Sequence, residues 1–118
     1  GFAHKNPIPN AAVVDNLLVT GVVMGRDTRS ESISDTIEEQ CAILFRHVRD
    51  ILDAAGGTTD DIVKMNVWLK DPSDRSALNA EWTAMFPDPE NRPARQAFAL
   101  DSDSIVMIQC DFMAVLGG

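Results

Sequence analysis

The stretch D-I-L-D-A-A-G-G-T-T-D-D-I-V-K-M-N-V-W-L-K-D, residues 50–71, changes its apolar rhythm from that of a helix to that of a strand. Upstream and into it, apolar residues recur at Ile37, Cys41, Leu44, Phe45, Val48, Ile51, Leu52 and Ala55, one stripe of an amphipathic helix. Asp35 with Glu38 forms a capping pair at its start, and Gly56-Gly57 supplies the stop. The run I-V-K-M-N-V-W-L, residues 62–69, then reads as a strand. A long amphipathic helix feeding straight into an apolar strand places a helix layer on a sheet, and the rest of the chain fits around that pair.

Toward the N-terminus, residues 1–10 carry Pro7 and Pro9 and read as an extended lead-in. Two short apolar runs, A-A-V-V and L-L-V-T-G-V-V-M, flank Asp15-Asn16, a hairpin signal because both residues tolerate positive φ. Residues 25–34 are polar and loop-like. Toward the C-terminus a second helix starts near Ser73 or Asp74 and turns Leu78, Trp82, Met85 and Phe86 inward before Pro87 ends it. Two further strands are expected near 94–100 and 105–115. The order β-β-α-β-α-β-β, without repeats or low-complexity segments, predicts a single α+β domain over 1–118, two helices on one face of a mostly antiparallel or mixed sheet.

The chain has 118 residues, enough for one core, and 45% of them are apolar. Its net charge of −8 offers no electrostatic footprint for a nucleic-acid backbone or an anionic membrane, so neither is expected as a partner. No apolar run approaches a membrane span, and no basic-then-apolar leader is read at the start. Cys41 and Cys110 have no metal-ligand spacing and form no disulfide framework; both sit on apolar faces and read as buried thiols of a reducing cytoplasm.

Alternation along the last strand bears on assembly. Val106, Ile108, Cys110 and Phe112 share the face that meets the helices, whereas Ile105, Met107, Gln109, Asp111 and Met113 share the other. The middle strand likewise leaves neither face plainly polar, with Val63, Met65, Val67 and Leu69 on one side. Two helices cover one sheet face, so a second subunit is expected to cover the other.

In N-R-P-A-R-Q-A-F-A-L, residues 91–100, Arg95 opens an apolar strand that has no structural use for a guanidinium. Two readings stand: an ordinary ion pair with one of the many acids, or a grip on a ligand carboxylate, which two parallel N–H donors match and lysine cannot. Arg92 reads as a surface charge. His4 in the lead-in and His47 beside the helix stripe have no partner at readable spacing. No metal or nucleotide motif occurs, so no cofactor is expected.

The segments N-L-L-V-T-G, the 50–71 block, R-S-A-L-N-A-E-W-T-A-M-F and R-P-A-R, in this order, resemble the Rid family, the reactive-intermediate imine deaminases, also called YjgF and often labelled endoribonuclease L-PSP. The resemblance runs from about Val13 to the C-terminus. It implies a chorismate-mutase-like α+β fold and a homotrimer whose sheets line a central barrel with three ligand clefts between subunits. It also implies that Arg95 binds the carboxylate of an imino or enamino acid, that the backbone at Ala97 touches the ligand, and that Thr20-Gly21 stands where relatives often carry Ser-Gly. Asn79 matches a recurrent helix asparagine, expected to support a nearby loop backbone.

The chain also departs from the family pattern. The last-strand glutamate that helps activate water in rapid imine hydrolases aligns with Gln109, and a neutral amide cannot accept the proton. Asp111, two residues on, could substitute, or could instead pair with a neighbouring subunit or sit in water. Ala97 replaces a common cysteine and so brings no thiol. The aromatic residue that many relatives carry near the lead-in is not evident, and Phe2 lies too far upstream to fill it. Three functions are therefore weighed: an imine or enamine hydrolase, a non-catalytic module binding a small carboxylate, and a ribonuclease. The charge argues against the last.

Overall fold

A computed structural model describes residues 11–27 and 32–117. The expected lead-in, with Phe2 and His4, lies outside the described residues. The elements run β1 (Ala11–Val14), β2 (Leu17–Thr20), β3 (Val23–Met24), α1 (Ile37–Ala55), β4 (Ile62–Leu69), α2 (Arg75–Met85), β5 (Ala94–Ala99) and β6 (Ile108–Val115). They form one mixed sheet in the order β1-β2-β6-β4-β5, with β3 also on β6; among the described residues only β4 and β5 pair in parallel. The α+β order read from the sequence is present, with the Leu17–Met24 run divided into two strands.

Local chemistry accounts for the element boundaries. Asp15 turns the β1–β2 hairpin at φ 54°, the positive φ that Asp and Asn tolerate. The cap of α1 is Thr36 rather than Asp35: its side chain accepts a hydrogen bond from Glu39 N–H. The expected Asp35–Glu38 pair thus sits one residue too early, because Thr36 takes the extended conformation an N-cap needs. Gly56, at φ 78°, ends the helix, and Gly57 N–H reaches back to Leu52 O at 2.8 Å. A short 3₁₀ turn at Pro72–Asp74 leads into α2, with Asp71 accepting from Ser73 N–H at 2.9 Å.

The core lies between the sheet and the helices. The stripe residues Cys41, Leu44, Val48 and Leu52 of α1 meet Met65, Val67, Ile108, Cys110 and Phe112 of the sheet and Leu78 of α2. Val63 departs from the predicted alternation: a register shift between Ile62 and Lys64 lets Ile62 and Met65 both face the helices and turns Val63 outward, 48% exposed. The last strand begins at Ile108 instead of 105. Before that point Met107 N–H donates to the buried Gln40 side chain at 2.9 Å, and Val106 N–H donates to Ser104 Oγ, so side chains replace the ladder.

Gln40 was not singled out by the sequence reading, yet it joins two loops to α1. Its Nε2 also donates to Ser34 O at 2.7 Å. Gly25 lies so close to this helix that an added Cβ would stand 2.9 Å from Gln40 Cα and closer still to its carbonyl oxygen. Backbone cannot yield cheaply there. Gly25→Ala is therefore expected to destabilise by about 1–3 kcal/mol, the usual range for overpacking, read as a shift in the urea midpoint.

His47 is buried as well, its Nε2 bonded to Arg26 O at 2.6 Å, a structural role for the ring. Arg92 is exposed, as read from the sequence, and its Nε also donates to Phe86 O at 2.9 Å, closing the loop that follows α2. Both cysteines are buried and unpaired. Burial, followed by the negative charges of Glu81, Asp74 and Glu38, pushes the Cys41 thiol up to about 12, and burial also raises Cys110. Neither thiol is poised for chemistry.

Candidate functional site

β5 is an edge strand of the sheet among the described residues, and Arg95 points from it toward the helix layer, opposite the buried Met65. Two residues of α2 hold its guanidinium. Asn79 Oδ1 accepts a hydrogen bond from Arg95 Nη1 at 2.9 Å, and Arg95 Cζ lies 4.8 Å from the centre of the Trp82 ring. Burial, and then the nearby Arg75, lower its pKa below the usual arginine value. No acid contributes to that shift, and among the described residues no carboxylate pairs with Arg95. The cation is thus oriented by an amide and a π-face that leave its charge unneutralised and most of its five donors unspent.

The partner of Asn79 is the site arginine, where a loop backbone was expected. Trp82 was read only as a core residue; an aromatic residue three positions after a polar one on the same helix face was the available signal.

Ala97 follows on the same side of β5 and is exposed. Leu100 N–H donates to Leu69 O at 2.9 Å, so by strand alternation the backbone N–H and C=O of Ala97 point to the outer edge. That edge carries no partner strand among the described residues. Arg95 and the Ala97 backbone together offer donors of the kind that bind a carboxylate.

The other predicted residues lie elsewhere. Gln109 and Asp111 are half-buried on the opposite, helix-free face of the sheet. Asp111 Oδ1 accepts from Asn66 Nδ2 of its own chain at 2.9 Å. The structure therefore does not bring Arg95 and Gln109 together within one chain: the sheet itself separates them.

Thr20 is buried, and its Oγ1 accepts from Phe112 N–H at 3.0 Å, while Gly21 is exposed just beyond. Three residues, 20–22, span the gap between Val19 and Val23 where β6 has only two, 111 and 112, so a hydroxyl serves where the ladder carbonyl is missing. Thr20→Val keeps the shape and orphans a buried N–H. A loss of about 1–3 kcal/mol in denaturant unfolding is expected.

The sequence model of the family described as endoribonuclease L-PSP matches residues 5–104. A RutC family protein of Pyrococcus abyssi is 32% identical over 102 residues, covering 81% of this chain and 79% of that one. The 2-iminobutanoate/2-iminopropanoate deaminase of Salmonella typhimurium is 26% identical over 86 residues, 73% of this chain and 67% of that one. The crystal structure of RidA from a Psychrobacter species superposes with a TM-score of 0.86 at 26% identity, covering 97% of this chain and 92% of that one. The chain thus has the YjgF-like α+β fold expected from its sequence, and it belongs to the endoribonuclease L-PSP family.

Proposed function

We propose that this protein is a deaminase of small carboxylate-bearing imines or enamines. The observation that carries this reading is Arg95, a half-buried guanidinium held by Asn79 and Trp82 with no acid among the described residues to neutralise it. The named activity of the Salmonella relative supports it. In the reaction, water adds to the C=N carbon, the nitrogen takes up protons and leaves as ammonia, and a 2-oxo acid remains. Arg95 and the Ala97 backbone hold the carboxylate. Thr20 and Gly21 close the end of β2, three strands from Arg95 in the same chain, and would meet the ligand only from a neighbouring copy. Gln109 orients the water by hydrogen bonding but cannot take its proton, so this enzyme is slow relative to one with a carboxylate there. Asp111, held by Asn66 and two residues on along the same face, is the candidate base there.

The proposal requires assembly. Arg95 and Gln109 face opposite sides of one sheet, so a common ligand meets them only when two copies are joined. The helix-free face exposes Val14, Leu17 and Val19, which a second copy would cover. A homotrimer with a central barrel satisfies both needs. Sedimentation at micromolar concentration is expected to give three times the mass of the chain, and a stable monomer would contradict the assembly.

The activity itself is tested by generating 2-aminoacrylate in situ and following 2-oxo acid release. Release faster than in buffer supports the deaminase; equal rates remove it for that substrate class. Gln109 favours one alternative, a trimer that binds small carboxylates without turning them over. Nucleic acid is disfavoured as a substrate by the net charge of −8. No helix among the described residues is long and apolar enough to cross a membrane. The two buried free thiols agree with the proposed cytoplasmic location.

A further inference from the structure

The helix-free sheet face carries two separate apolar areas. One lies at the hairpin end, with Val14, Leu17 and Val19 next to Val115 and Met113. A polar row then crosses the sheet: Asp111, Asn66 and Gln96 are aligned on β6, β4 and β5. Beyond it stands a second row in which Gln109, Trp68 and Phe98 are aligned across the same three strands. Trp68 and Phe98 stack, with centroids 5.4 Å apart and planes 25° apart, and Phe98 is 43% exposed.

We infer that the Trp68–Phe98 stack forms the wall against which the substrate's side chain lies, and that the preferred substrate is a 2-imino or enamino acid bearing an aromatic or comparably large flat group. This rests on the reading of Gln109 as the residue that faces the imine. The C=N carbon of a 2-imino acid bears three substituents: the nitrogen, the carboxylate and the side chain. If the Gln109 amide addresses that carbon, the side chain falls within about one residue's reach of it. Cross-strand neighbours have Cβ atoms about 5 Å apart, and the cross-strand neighbour of Gln109 is Trp68. A methyl or ethyl group would leave most of the stacked surface unused, whereas a phenyl ring can extend the stack. The polar row isolates this pair from the apolar hairpin end, so the pair belongs with Gln109 and the free edge of β5.

The test compares 2-oxopropanoate with 3-phenyl-2-oxopropanoate as ligands, measured by titration calorimetry on the intact protein. Wild type is expected to bind the phenyl acid about 10- to 100-fold more tightly, the range set by burying one ring. Phe98→Ala and Trp68→Leu are each expected to reduce that ratio at least several-fold, with circular dichroism and sedimentation reporting fold and assembly. Equal affinity for the two acids overturns the inference, as does a ratio that survives both substitutions. A Phe98→Ala protein that loses its assembly while keeping the wild-type preference also overturns it, since the ring would then serve the contact between copies. Parallel rates on the imines of alanine and phenylalanine, made with an L-amino-acid oxidase and catalase, separate this idea from the parent one. If neither imine is hydrolysed faster than in buffer but the binding preference holds, the deaminase reading fails and the aromatic wall stands.

Discussion

Arg95→Ala is expected to lower kcat/KM for a 2-imino acid by about two to four powers of ten and to weaken binding of the product 2-oxo acid by a similar factor. A bidentate contact comprises two charge-assisted hydrogen bonds of about 1.5–3 kcal/mol each, and each 1.4 kcal/mol is roughly tenfold. The change should be carried by binding, since the carboxylate is held alike in ground and transition states; KM rises more than kcat falls. Lysine should not rescue it, because a point charge cannot reproduce the planar fork that Asn79 and Trp82 hold in place. Stability should fall by only about 1 kcal/mol, because the bond to Asn79 and the contact with the Trp82 ring are lost but no ion pair of the described residues is broken. The experiment is a Michaelis–Menten comparison of wild type, Arg95→Ala and Arg95→Lys, with oxo-acid titrations alongside. A wild-type KM in Arg95→Ala would remove the arginine from the site.

Gln109→Glu is expected to raise kcat by about 10²–10⁴-fold, the typical contribution of general acid–base catalysis. The two side chains are near-isosteres, and the position is half-buried on an open sheet face, so the fold should tolerate the change. A carboxylate there accepts the proton of the attacking water. The pH–rate profile should then acquire an acidic limb set by residue 109, which the Gln109 amide cannot produce, because activity falls as that carboxylate is protonated. The converse experiment bears on Asp111. If Asp111→Asn leaves the wild-type rate unchanged, Asp111 supplies no base and its bond to Asn66 is structural.

The sequence was most informative where one residue's local pattern sufficed. The α1 stripe, the Asp15-Asn16 turn, the Gly56-Gly57 stop and β4 all follow from spacing and turn chemistry. The same holds for the buried face of β6. It was least informative where a distant segment decides. Val63 leaves its predicted face because of a register shift against β6, and nothing in I-V-K-M-N-V-W-L signals a bulge. Gln40 reads as an ordinary polar residue beside the α1 stripe, yet it reaches a backbone N–H 67 residues away.

The site divides along the same line. Arg95 was conspicuous as a charge in an apolar strand, and Asn79 through the resemblance to relatives. Trp82 was hidden because a core aromatic and a guanidinium support look identical in a helical stripe. The separation of Arg95 from Gln109 by the sheet could not be read until the register of β4, β5 and β6 was known.

The central claim is that Arg95 of one copy grips a small organic acid at a junction between copies. The most direct measurement is a crystal structure of the protein grown with a 2-oxo acid. The expected electron density shows the carboxylate forked onto the Arg95 guanidinium, still bonded to Asn79, with the neighbouring copy's Gln109 beside the oxo carbon. Density for the acid elsewhere, with Arg95 folded onto a carboxylate of its own chain, would contradict it.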